Sequence, residues 1–391
     1  MFKRKEQQLI LHKGVFKRPI GLFTASMFLV SGTVGAGVLG LPYAVARVGL
    51  LPGLLYILFF GFLIMMLNSM IGELCARTQG DFQLAGLAYH YIGKLSGRLM
   101  TFITYAMWVG VLLIYIIGVG TSLAALFHTN AYMMSLLFFC IISIFVFIGI
   151  DIIRSVNFSL SMGIVAIILL IAFFSAPHID AGILTHVNIA ELFFPYGIVL
   201  FAFSAVSSIP EVHTLLKKRD IQFKHTIYIG GSIVMILYLL FTYIVVSVTG
   251  QSTTEIATVG LGEQVGPLMN IFGNIFAVFA MSTGFLMTSL AFRDSLCWDH
   301  HLSKIKSLLI VLGVPLTIFL LQLGSFIQVV DIVGGVLVSL QMIIMLLIYW
   351  RAKQVGHLKK SAYNLHHVSW FVILLLAVCS VGAMFSVMKM F

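Results

Sequence analysis

Ser31-Gly32-Thr33-Val34-Gly35-Ala36-Gly37-Val38-Leu39-Gly40-Leu41-Pro42-Tyr43 falls inside an apolar window, near 20–46, long enough to cross about 30 Å of hydrocarbon. Four glycines, a serine, a threonine and a proline crowd its middle. Such residues interrupt a helix, and an interrupted helix frees backbone N–H and C=O groups that lipid cannot satisfy. A break of this kind is tolerated only where it lines a protein cavity or holds a ligand. For this stretch taken alone, close packing of small residues between membrane helices is the plainer alternative. The spacing Gly35-x-Gly37-x-x-Gly40 also matches a dinucleotide-binding pattern. That pattern needs a preceding strand in a soluble βαβ unit, so the match is coincidental.

A second interruption, Phe203-Ser204-Ala205-Val206-Ser207-Ser208-Ile209-Pro210-Glu211, sits in a window near 189–213. Further windows lie near 51–75, 99–127, 132–150, 155–175, 225–249, 265–292, 307–323, 327–349 and 368–388, which makes eleven spans. Spans one and six are an odd number of crossings apart, so they run through the membrane in opposite directions. Paired breaks in oppositely oriented, corresponding segments are the best sequence pointer to a transporter's midplane site. The pairing favours a binding site over close packing.

The 391 residues are 60% hydrophobic and 9% charged, with a mean hydropathy of +1.09. Soluble folds carry roughly 25% charged residues, so soluble enzymes and cytosolic binding modules are excluded. An outer-membrane barrel would alternate in hydropathy instead of showing long unbroken apolar runs. The net charge of +10 is mostly a topology signal. With the amino terminus inside, every one of the 23 Lys and Arg residues except Arg47 and Lys389 lies in a cytoplasmic segment. This distribution predicts a multi-pass protein of the cell membrane, amino terminus cytoplasmic and carboxyl terminus extracytoplasmic, with the lipid bilayer and not nucleic acid as its partner. Cys75, Cys140, Cys297 and Cys379 stand apart without metal-ligand spacing, so neither a disulfide nor a metal cluster is expected. Residues 82–92 predict a short helix along the inner membrane surface.

The two breaks suit a zwitterion. Half-helix amino ends point N–H groups at an anion, and freed carbonyls face a cation. An amino acid carboxylate would sit on the amides near Gly35, Ala36 and Gly37, and its ammonium on carbonyls near Ser31, Thr33, Phe203 and Ser204.

Gly32 to Ala44 (GTVGAGVLGLPYA) and Leu200 to Val212 (LFAFSAVSSIPEV) resemble the first-helix and sixth-helix signatures of the amino acid/auxin permease family, including its bacterial aromatic amino acid permease relatives. Gly72-Glu73-Leu74, the loop 77–95 and Phe279 to Asp294 corroborate the likeness, which belongs within the amino acid-polyamine-organocation superfamily. The resemblance implies an all-α integral membrane fold of eleven transmembrane helices, a leucine-transporter-like 5+5 inverted repeat plus one C-terminal helix, with helices 1 and 6 discontinuous. The corresponding divisions are a cytoplasmic tail (1–18), a first repeat (19–175), a second inverted repeat (176–350), and a loop with the eleventh helix (351–391).

The resemblance also implies secondary active import of amino acids by alternating access. Substrate would contact the backbone of Thr33, Val34, Gly35, Ala36 and Gly37 and of Phe203, Ser204, Ala205 and Val206. Phe203 stands where related carriers have an aromatic gate, and Tyr115 adds a hydroxyl. Two departures stand out: Ala205 replaces a frequent glycine, and Leu41 stands where an outer-gate arginine is placed in leucine-transporter relatives. A pair of Arg47 with Asp331 is a candidate substitute for that gate. A neutral substrate, large apolar or aromatic ones included, follows from the absence of a midplane carboxylate and from the likeness.

The coupling ion stays open between H+ and Na+. Ser282 and Thr283, with Val34 opposite, form a candidate sodium site; hydroxyls bonded back to their own helix are the alternative. The lysine that some proton-coupled relatives carry in span five is missing. Glu73, Glu211 and His213 are the candidate proton carriers, with pairing to Arg77 or Lys217 as the other reading. No cofactor is expected, and motifs of membrane enzymes and channel filters do not occur. A carrier of another small amine or organic solute, or a non-transporting membrane sensor, are the remaining alternatives.

Overall fold

A run such as LLPGLLYILFFGFLIMMLNSMIGELCAR, Leu50–Arg77, can satisfy its backbone away from water only as a helix, and a helix is what it forms. The computed structural model describes residues 21–78, 84–148, 153–179, 187–204, 208–216, 219–299, 301–355, 358, 361, 363–365 and 369–388. Every regular element among them is helical. In chain order they are α1 (Leu22–Thr33), α2 (Gly37–Val48), α3 (Leu50–Arg77), α4 (Leu84–Tyr91), α5 (Lys94–Phe127), α6 (Ala131–Ile148), α7 (Ile153–Ser175) and α8 (Pro195–Phe203). There follow α9 (Ser208–Leu215), α10 (Asp220–Thr249), α11 (Ala257–Val265), α12 (Pro267–Asp299), α13 (Lys304–Leu320), α14 (Phe326–Ile332), α15 (Ser339–Val355) and α16 (Ser369–Met388). A π-helical turn, Val333–Val338, joins α14 to α15.

Among the described residues, α3, α5, α10, α12, the α14–α15 run and α16 are long and apolar enough to cross a membrane. The α1–α2 pair adds a seventh when the bent pair counts as one span. At 1.5 Å per residue the 28 residues of α3 reach about 42 Å, more than the apolar layer needs. The windows near 51–75, 99–127, 225–249, 265–292, 327–349 and 368–388 fall on these helices, and the window near 20–46 falls on the α1–α2 pair. Bulky apolar side chains face outward, Phe173 at 73% exposure and Leu268 at 70% among them. That surface is suited to lipid, since a water-soluble monomer rarely exposes contiguous apolar area on this scale.

Inside, Tyr238, Phe223, Phe241, Phe285, Phe326 and Leu29 are fully buried. Helix α10 packs against both α1 and α3, α5 against α12 and α6, and α8 against α2 and the π-turn. Between α2 and α3 the chain reverses at Gly49, whose φ of 107° favours glycine. The predicted interfacial segment forms α4, which buries Leu84, Leu87, Ala88 and Tyr91 against its neighbours. In the π-turn, Gly334 and Gly335 let backbone approach backbone: a methyl on Gly334 would fall on the Gly197 carbonyl of α8.

One end of the bundle is tied by a buried carboxylate. Glu73 on α3 has a fully buried side chain and accepts from Arg77, from Lys353 Nζ at 2.5 Å and from Tyr349 Oη at 2.6 Å. Arg77 and Lys353 also share Asn364 Oδ1, at 2.9 and 3.3 Å, and Lys353 reaches the Leu365 carbonyl at 3.2 Å. Glu73 pairs with Arg77, four residues on, and with a lysine 280 residues away. Beside it, fully buried Tyr363 donates to the Ser69 carbonyl at 2.8 Å, and Ser361 meets Asp220 at the start of α10. Burial pushes the Tyr363 phenol well above its ordinary value, so it remains a hydroxyl donor. Thus residues 361 and 363–365 seat between α3, α10 and α15.

The Arg47–Asp331 pair does not form. Arg47 donates to Tyr43 Oη at 2.8 Å and lies 3.9 Å from Glu191, with its guanidinium over the Tyr43 and Phe194 rings. The reason is local. Asn188 N–H bonds the Val48 carbonyl at 3.0 Å, which lays residues 187–194 across the end of α2, and Glu191 comes with them. Asp331 instead lies against Gly197 of α8.

Candidate functional site

Helix α1 ends where its sequence runs out of helix formers. The Val34 N–H closes a last turn on the Val30 carbonyl at 2.8 Å, and Val34, with φ −78° and ψ 104°, then turns extended. The Thr33 hydroxyl bonds back to the Leu29 carbonyl at 2.7 Å. After Gly35 and Ala36, α2 starts at Gly37, bent 62° from α1. Its N-cap is Ala36, which has no side chain able to cap and makes no cap bond. The first four amides of a helix lack partners within it, so the amino end of α2 presents N–H groups and a positive dipole end to the gap.

Helix α8 ends in the same manner. The Ser204 N–H bonds the Phe201 carbonyl at 3.1 Å, and Ser204 is extended at φ −68°, ψ 90°. Helix resumes at Ser208. Ala205 and Val206, expected substrate contacts, lie outside the described residues, as does the side chain of Glu211.

Small residues bring the two interruptions together. A methyl at Gly37 would stand 2.5 Å from Ala202 Cα, and one at Gly32 would fall on the Ser208 side chain. Gly37 is therefore part of the helix contact itself, a stricter role than lining a pocket. Gly35 has more room, with the Tyr115 hydroxyl 3.4 Å from where its Cβ would be. The buried Tyr115, on α5, rests its ring on Gly284 of α12, 2.6 Å from that residue's Cβ position. Phe203 lies over Gly61 of α3, 3.0 Å from its Cβ position, and meets the Tyr238 ring edge-on at 4.9 Å between centroids. Thr33, Val34, Gly35, Ala36, Gly37, Tyr115, Phe203 and Ser204 thus gather around one junction, with Ser31 one turn back on α1.

Tyr238 was not among the expected residues, yet its hydroxyl is 2.8 Å from the Ala202 carbonyl and 3.2 Å from that of Thr33. Its only signal in the sequence is a hydroxylated ring inside the apolar window 225–249. Thr283, in the candidate sodium site, bonds back to the carbonyls of Phe279 and Ala280, both at 3.0 Å. Ser282 is half-buried beside it and Val34 is buried at the break. Through Gly284 and Tyr115 this turn of α12 stands one aromatic ring away from the first break.

Residues 20–386 match the model of the tryptophan/tyrosine permease family. Glutamine transporter 2 of Aliivibrio fischeri is 26% identical over 341 residues, 83% of this chain and 87% of that protein. Amino acid permease 8 of Arabidopsis thaliana is 26% identical over 122 residues, 30% of this chain and 26% of its own length. Two solved structures are similar at a TM-score of 0.65, each with 13% identity over 94% of this chain. One is a nucleobase-cation-symport-1 family transporter in a closed conformation with bromovinylhydantoin bound, 91% covered; the other is MhsT in complex with L-phenylalanine, 98% covered. Both have the leucine-transporter-like fold, and this chain shares it. Permease family and fold together describe a multi-pass membrane transporter and not an enzyme. With the family model spanning nearly its whole length, the chain belongs to the tryptophan/tyrosine permease family.

Proposed function

We propose that this permease imports a neutral amino acid across the cell membrane by alternating access, holding it between the broken first and sixth spans. The observation that carries the proposal is the amino end of α2. It is uncapped, and it faces the carboxyl ends of α1 and α8 at one junction. An anion belongs at the amino end and a cation at freed carbonyls, the two ends of a zwitterion. The substrate carboxylate would take the amides of Gly35, Ala36 and Gly37, and the ammonium the carbonyls near Ser31, Thr33, Phe203 and Ser204. Among the described residues gathered at the junction no side chain is charged. A charged substrate side chain would be buried there without a partner, which disfavours it. Rings of Tyr115, Phe203 and Tyr238 favour an apolar or aromatic one.

In this proposal the windows form eleven spans in a 5+5 inverted repeat with one added helix, the amino terminus cytoplasmic on the Lys and Arg count. The wider kinship is with amino acid/auxin permeases, supported by the stretch shared with the Arabidopsis permease. The coupling ion is H+ or Na+. The Thr283 hydroxyl donates its proton to the Phe279 and Ala280 carbonyls and keeps its lone pairs, so a sodium site at Val34, Ser282 and Thr283 stays compatible with this bonding. Uptake of each of the twenty radiolabelled amino acids into proteoliposomes, under an imposed proton or sodium gradient, tests the whole. Accumulation of at least one neutral amino acid under one of the two gradients is expected. No accumulation under either would refute the proposal.

A further inference from the structure

Tyr238 is fully buried on α10, and its hydroxyl lies within hydrogen-bonding distance of the last turns of both broken helices at once: the Thr33 carbonyl of α1 and the Ala202 carbonyl of α8. A phenol has a single proton to donate. Both carbonyls lie within its reach, at 2.8 Å and 3.2 Å, so the two share that proton, Ala202 taking the stronger part. The Thr33 carbonyl oxygen has two lone pairs, and its weak share in the phenol proton leaves it able to accept from a further donor. Edge-on contact with Phe203 fixes the Tyr238 ring, and Gly37 against Ala202 fixes the distance between the two helices.

We infer that Tyr238 is a positioning residue for the substrate ammonium: by bonding both carbonyls it holds the ends of α1 and α8 in register and leaves the Thr33 carbonyl able to accept from the ammonium. This rests on the proposal that the junction binds an amino acid. It adds a selectivity that neither break explains alone. Removing the hydroxyl loosens the carbonyl that faces the amine while leaving the amides of α2, which face the carboxylate, as they were.

The experiment compares the transported amino acid with its deamino carboxylic acid as competitors of uptake, for example L-tryptophan against 3-indolepropionate, in wild-type protein and Tyr238→Phe. A buried hydrogen bond is worth about one factor of ten in affinity when a charged group depends on it. Tyr238→Phe is therefore expected to weaken inhibition by the amino acid roughly tenfold and to leave the deamino acid within about twofold. Equal weakening of both competitors, or of neither, overturns the inference. Should Tyr238→Phe not fold, 4-aminophenylalanine at position 238 supplies a donor at the same place. Recovered folding with the preference intact upholds the inference; recovered folding without it, or no recovery, overturns it. If wild-type protein takes up no amino acid, the functional proposal is what has failed.

Discussion

Replacing Glu73 with glutamine should be among the most damaging single changes outside the junction. The carboxylate is fully buried and holds two cations, Arg77 at 14% and Lys353 at 30% side-chain exposure, together with the Tyr349 hydroxyl. Removing its charge leaves both cations facing a neutral amide. Breaking a buried ion pair from one side costs about 3–5 kcal/mol. Lys353→Met should cost less, about 1–2 kcal/mol, because Glu73 keeps Arg77 and Tyr349 and no cation is orphaned. At about 2–4 °C per kcal/mol for mid-sized domains, and less for larger ones, Glu73→Gln should lower the apparent melting temperature by roughly 5–10 °C and Lys353→Met by roughly 2–4 °C. Thermal unfolding of purified protein at fixed detergent and scan rate measures both. The double variant should lose less than the sum of the two, since it removes the lysine that Glu73→Gln strands. A Glu73→Gln shift no larger than that of Lys353→Met, or strict additivity, would refute the account of Glu73 as the centre of the network.

Three other outcomes follow from distances at the junction and at the end of α2. Gly37→Ala puts a methyl 2.5 Å from Ala202 backbone and should reduce the yield of folded protein, whereas Gly35→Ala, with 3.4 Å to the Tyr115 hydroxyl, should fold and lose affinity; size-exclusion profiles and uptake KM separate them. Tyr115→Phe should keep fold and maximal rate while raising KM about 3- to 10-fold, if its hydroxyl touches substrate. Arg47→Ala removes an exposed 3.9 Å pair with Glu191 and should cost less than about 1 kcal/mol, with uptake nearly unchanged; loss of transport would give Arg47 a gating part that its contacts do not suggest.

The bend after Thr33 was legible because it is made of residue types: glycines and β-branched Val34 read as an interruption wherever they fall. Spacing also carried Glu73 to Arg77, four residues apart on one helix, and the back-bonding alternative for Thr283, whose partner is four residues earlier. What escaped the sequence joins segments far apart in the chain. Tyr238 meets Thr33 across 205 residues and Glu73 meets Lys353 across 280, and nothing local in either pair announces the other. Arg47 shows the same limit from the other side. An unpaired charge near a helix end invites a partner on a neighbouring span, but Glu191, in the short turn before α8, supplies it. Gly37 was read as pocket lining because a glycine's surroundings are invisible until the facing helix is in place.

The seat of Tyr363 bears on where this transporter can be cut. Ser361, Tyr363 and Asn364, which precede α16, carry the groups that meet Ser69, Arg77, Lys353 and Asp220. A chain ending after Val355 would lose all of them, while one ending after Leu365 would lose the last helix alone. A minimal version of this protein therefore ends past α15, at the strap and not at the helix.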